Sequence, residues 1–287
     1  MSSPSNKSAM APLFTREMFN KIEADLAKQE RYIEIQTIGG KTIQRKTQFP
    51  LTAPGDVIPG VEQVRDTLYF NGERLFRRLE AQGLADSFVA VFNGPLLFSE
   101  PNYTVEETRQ SLATVIQTFE ASAEAKAINN LVKMHLCGSA VDKVVLFGAG
   151  FIGHAHQGLY DSLYEHAAAL VVAKAARETV LGEFGVEVVD GFGAKAFALV
   201  DDRSIVISHH SNYPFREIIA DLARPALICM LAEEESEDDS SGLLADVTSV
   251  RSRKMLEEYH VAPLEILEPK GFYDNTWYIR TQVENHE

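Results

Sequence analysis

The sequence predicts an α/β protein: a parallel β-sheet with helices on both faces, preceded by an N-terminal α+β elaboration. Three observations carry this expectation. From Val141 onward, strand-like and helix-like segments alternate with short links, the pattern of a parallel sheet wrapped on both sides. The strand-like run Lys143–Phe147 leads into Gly148-x-Gly150-x-x-Gly153 and then a helix-compatible stretch, as a dinucleotide-type turn requires. Before Val141 the chain mixes a hairpin with helices and shows no such alternation.

Residues 1–12 are polar and lack the apolar core of a signal peptide, so they read as a disordered lead-in. Phe14 to Arg31 reads as a helix. Thr15 caps it, and Phe14, Met18, Ile22 and Leu26 fall on one face. Arg31 to Phe49 reads as a β-hairpin turning at Gly39-Gly40. Pro50 to Gly60 is a loop, Val61 to Gln82 a helix, and Phe88 to Phe92 a short strand. Thr104 and Glu107 form a capping box for a helix running to Glu124, and a second helix spans Ala125 to Leu136.

The alternating half follows. Strands are predicted at Lys143–Phe147, Ala169–Ala173, Val186–Val189, Ile205–Ser208 and Ala226–Leu231. Helices are predicted at His154–Ala167, Ala175–Phe184, Gly193–Leu199 and Pro214–Ala223. Leu243 to Tyr259 reads as a further helix and Trp277–Arg280 as a closing strand. The expected organisation is therefore a 13–140 α+β region and a 141–287 α/β domain, with an acidic loop over 232–241 and a boundary near Ser139.

Composition narrows the function. The formal charge of −14 argues against direct nucleic-acid binding, which needs a basic surface. No stretch approaches the roughly 18 apolar residues of a membrane span. The two cysteines, Cys137 and Cys229, sit in apolar surroundings and read as buried thiols of a reducing compartment, cytoplasmic or nuclear. The acidic block Glu233–Ser241 reads as a solvated loop. Ser236, Ser240 and Ser241 among its acids also suit docking or phosphorylation.

The glycine motif places a Rossmann-like anion site at a helix N-terminus. Gly148 serves the tight turn, Gly150 the close approach of a phosphate, and Gly153 helix–strand packing. Where an NAD site carries an acid, about twenty residues on, this chain has Lys174 and Arg177, which favours a 2′-phosphate and hence NADP. A phosphate-free turn in which the glycines only pack is the alternative. His209 and His210 end a strand at the edge where α/β ligands collect, so they are the candidates for ligand binding or proton transfer. Asn212 is placed to cap the helix at Pro214 and to border the cofactor site. His154 and His156 do not share a helix face, which argues against a metal pair.

The C-terminal half resembles the sensitivity-to-red-light-reduced (SRR-like) domain family in its fungal branch. The resemblance rests on Val200–Ser208, Asn212–Pro225, Lys143–Gly150, the Tyr164-Glu-His166 pattern and Asp274–Arg280. It implies a Rossmann-like domain in a regulatory or signalling protein, with no established catalytic residues. It departs at Ala173–Arg177, where relatives carry Asp-Pro with a nearby aromatic residue. Three readings follow: a regulatory binding module with a small-molecule or protein partner, an NADP- or other nucleotide-dependent enzyme on a small molecule, and a scaffold acting through partner contacts.

Overall fold

The computed structural model describes residues 12–30, 32–36, 42–47, 64–70, 89–95, 104–137, 139–148, 160–179, 189, 193–209, 213–232, 246, 248–264 and 275–281. Helices are α1 (Arg16–Ala27), α2 (Val105–Glu120), α3 (Ala123–Leu136), α4 (Tyr160–Thr179), α5 (Lys195–Leu199), α6 (Phe215–Leu222) and α7 (Val250–Leu256). Strands are β1 (Tyr32–Gln36), β2 (Thr42–Lys46), β3 (Val64–Phe70), β4 (Val89–Pro95), β5 (Lys143–Phe147), β6 (Ser204–Ser208), β7 (Leu227–Leu231), β8 (Tyr259–Ala262) and β9 (Asn275–Arg280).

Five strands form the central sheet in the order β5-β6-β7-β9-β8. β5, β6 and β7 run parallel, with Val145 opposite Val206 and Val206 opposite Ile228. β9 then pairs antiparallel with β7, and β8 pairs antiparallel with β9. The sheet is thus mixed rather than wholly parallel. The antiparallel strand β8 lies within and just beyond the end of the predicted Leu243–Tyr259 helix, which contracts to α7.

The pleat sends alternate residues to two cores. Val145, Phe147, Val206, Ile228, Met230 and Tyr278 face one side, under α1, the β1–β2 hairpin, α5, α6 and α7. Ile205, Ile207, Leu227, Cys229, Trp277 and Ile279 face the other, under α2, α3 and α4. Residues before 140 therefore supply helices to both faces of the sheet.

Two predicted elements change type. The helix expected over Val61–Gln82 holds strand β3, paired antiparallel with β4 from Val64 opposite Pro95 to Phe70 opposite Val89. Val64, Leu68 and their neighbours satisfy a helical period on paper, but pairing with a second strand overrides that weak preference. The strand expected over Ala169–Ala173 lies inside the twenty-residue helix α4. Ala167, Ala168, Val171, Val172, Ala175 and Ala176 are all buried, so this helix has no clear polar face and its apolar run imitates a core strand. Cys137, expected to be buried, is exposed at the end of α3; Cys229 is buried in β7.

Short α5 is held at both ends by α1. Glu23 Oε1 accepts the backbone N–H groups of Ala194 (2.7 Å) and Lys195 (3.0 Å), and Arg16 donates to the Val200 carbonyl. A carboxylate at the positive end and a guanidinium at the negative end match the helix dipole. Asp221 ties the same region to α6 by accepting the backbone N–H groups of Leu13 (2.6 Å) and Phe14 (3.1 Å) and pairing with Arg251 of α7. Replacing Glu23 by Ala is expected to cost about 0.5–2 kcal/mol, the range for loss of a helix cap. Urea denaturation checks this, and a loss near zero would remove Glu23 from the account.

Candidate functional site

The carboxyl ends of β5, β6 and β7 converge where α/β folds collect ligands. β5 ends at Phe147, whose carbonyl accepts the His209 N–H at 3.5 Å. Gly148 follows with φ +71°, in the left-handed region. A Cβ there would lie 2.6 Å from the His209 carbonyl oxygen. Gly148 is therefore required by the backbone of the next strand, whatever else the turn does.

His209 stands one residue past β6. Alternation puts its side chain on the face of Ile205 and Ile207, toward α4. There the imidazole is enclosed, with the residue 2% exposed. Nε2 lies 3.1 Å from Oε1 of Glu165, itself buried on α4. Nδ1 lies 3.1 Å from Nδ2 of Asn275, the first residue of β9. The Asn275 side chain also hydrogen-bonds the Cys229 thiol, and burial holds that thiol well above its usual pKa. Cys229 is accordingly a protonated core thiol and a poor nucleophile. One imidazole joins α4, β6 and β9 with both ring nitrogens engaged.

A second buried cluster lies at the end of β7. The Arg216 guanidinium donates to the carbonyls of Leu231 (2.6 Å) and Ala232 (3.0 Å) and to the Asp246 carbonyl. Its backbone N–H donates to Asp246 Oδ1 at 2.8 Å. A single arginine thus binds the chain where it leaves β7 and where it returns at 246. Burial raises the Asp246 carboxyl to about 6; Arg216 opposes that rise and Glu217 adds to it.

The sequence candidates separate. Gly148 and His209 meet through backbone contact. Lys174 does not sit at a strand end. It is exposed in the interior of α4 and pairs with Glu120 of α2, so the strand-end argument for a 2′-phosphate ligand loses its position. Gly150, Gly153, His154, His156, His210, Asn212 and the acidic block lie outside the described residues. Pro214, not Asn212, occupies the N-cap position of α6. Glu165, Asn275 and Arg216 were missed as a set. No spacing rule joins residues so far apart in sequence, so only the folded sheet brings Glu165 and Asn275 to one ring.

At the opposite, amino edge a depression of about 970 Å³ is lined by Arg203, Arg224 and Arg280. Each guanidinium there has a carboxylate partner: Asp142 at 3.1 Å, Glu258 at 2.8 Å and Asp202 at 3.8 Å. Charge is balanced across it, which gives an anion little to gain. Among the described residues no group of three or more His, Cys, Asp or Glu side chains is placed to hold a metal, and no helix is long and apolar enough to cross a membrane.

No family model, curated protein or solved structure matches the chain.

Two outcomes are expected. Gly148→Ala combines the 2.6 Å approach with a left-handed backbone, a strain of order 1–3 kcal/mol, and should lower the denaturation midpoint whether or not a ligand binds. Asp246, with its pKa raised in the fold, keeps a proton that the unfolded chain has lost. The stability this supplies is complete below about pH 4 and is lost as the pH rises through 6. Asp246→Asn should remove that dependence, so stability relative to wild type improves as the pH rises across this window. A constant difference between the two proteins would contradict the assignment.

Proposed function

We propose that this chain is a regulatory or signalling protein of the SRR-like kind, acting in the cytoplasm or nucleus, with its α/β unit as a Rossmann-like binding module. The site is the carboxyl edge of β5, β6 and β7, where a small molecule or a partner protein is bound rather than transformed. One observation carries this reading: the edge histidine His209 spends both ring nitrogens on Glu165 and Asn275. A general base needs a nitrogen within reach of the substrate proton, and this ring has committed both to holding the fold. The neighbouring thiol, Cys229, is buried and protonated. The competing reading, an NADP-dependent enzyme, draws its 2′-phosphate preference from Lys174 and Arg177, and Lys174 pairs with Glu120 from the middle of α4.

The test is a thermal-shift screen against NADP(H), NAD(H), S-adenosylmethionine and ATP, followed by absorbance or chromatographic assay of any ligand that binds. A ligand at a hundred times its Kd adds about 2.7 kcal/mol of apparent stability. The expected result is binding without consumption. Steady turnover of a bound nicotinamide cofactor with a small-molecule substrate would overturn the regulatory reading in favour of the enzyme.

A further inference from the structure

The Glu165–His209–Asn275–Cys229 chain has a feature that simple packing does not require. Glu165 Oε1 accepts from Nε2, so the ring carries its proton on Nε2. Nδ1 is then a bare acceptor, which suits the amide Nδ2 of Asn275 facing it at 3.1 Å. The same amide group hydrogen-bonds Cys229. The other end of the Asn275 amide, Oδ1, is buried and has no hydrogen-bond partner among the described residues. A buried carbonyl oxygen left in this state costs roughly 1–3 kcal/mol.

Protonation of the ring would reverse the Nδ1···Asn275 bond and leave Nε2 donating to Glu165. An imidazolium donates from Nδ1 as well as Nε2. Rotating the Asn275 amide by half a turn brings Oδ1 to face Nδ1–H and the Cys229 S–H, both donors. The new charge lies against the Glu165 carboxylate. The ring is bonded by Glu165 from α4 and Asn275 from β9, with the Cys229 thiol of β7 beside Asn275. His166, next along α4, is roughly 100° further round the helix. The Glu165 carboxylate favours uptake of a proton, and burial opposes it.

We propose that His209 and Asn275 form a proton-responsive latch at the carboxyl edge, in which protonation of the ring is coupled to reversal of the Asn275 amide. The latch fastens β6 to α4 and β9 in either state; the bond to Glu165 keeps its polarity and the bond to Asn275 reverses. Because the His209 backbone carbonyl also lies against Gly148, the latch adjoins the carboxyl end of β5. It stands whether or not the edge takes a nucleotide.

The test is a pH titration of the full-length chain labelled with ¹⁵N in its histidine rings and Asn side chains. The His209 signal is assigned by its absence in His209→Gln. At about pH 8, where an unperturbed histidine is neutral, the expected ring form bears its proton on Nε2. As the ring titrates, the Asn275 amide resonances should move with the same midpoint. Asn275→Asp adds a carboxylate and should raise the ring's proton affinity at least tenfold. Glu165→Gln should lower it at least tenfold while leaving the neutral tautomer on Nε2. A neutral ring protonated on Nδ1, amide signals that do not follow the ring, or an affinity unmoved in both variants would each overturn the latch. Should either variant fail to fold, the tautomer and the amide titration of the wild-type chain decide the matter without it.

Discussion

The enclosed imidazole of His209 is the constraint on which the carboxyl edge depends. Its backbone N–H reaches Phe147, its carbonyl presses on Gly148, and its ring is held by Glu165 and Asn275. Four elements meet at this one residue. A polar group buried this deeply is costly unless each of its donors and acceptors finds a partner. Its partners come from a helix on one face, from the strand that ends the parallel run, and from an antiparallel strand two places away in the sheet. Moving any of them alone would strand a buried polar atom, so the junction holds their relative positions more strictly than apolar contact alone.

Similar logic recurs around the sheet, with charged groups tying distant segments to it. Arg216 binds the exit from β7 and the return at Asp246 through their backbone carbonyls. Asp221 holds the start of the chain against α6 and α7. Glu23 and Arg16 give the single-turn helix α5 the terminal partners that its length cannot supply. Each joins residues more than a hundred positions apart or closes a long excursion, and each sits where a backbone end would otherwise be left without a partner. The two apolar cores give the sheet its faces, while these links set which segment lies where.

Much of the frame was legible in the sequence. The Thr104–Glu107 capping box, the hairpin around Gly39-Gly40 and the strands expected at Lys143–Phe147, Ile205–Ser208 and Ala226–Leu231 rest on local rules, and the structure forms the box, both hairpin strands and all three core strands, within a residue of those bounds. Local rules failed where tertiary context decides. In α4, burial on nearly every side erases the amphipathic period and leaves an alanine–valine run that reads as a strand. At β3, a partner strand outweighs a helical spacing. The antiparallel arrival of β9 beside β7 has no local signal either. The candidate site divides the same way. Gly148 and His209 stood out through motif and strand-end position, whereas Glu165 and Asn275 acquire a role only when the sheet brings them to the same ring.

The most direct test of the account is a double-mutant cycle between Glu165→Gln and His209→Asn, read by urea denaturation. If the ring is committed to holding the edge, the two changes should couple by about 1–3 kcal/mol, the range for contacting residues in one buried network. Additivity to within about 0.5 kcal/mol would mean that the two side chains act independently. The claim that His209 serves the fold rather than chemistry would then be contradicted.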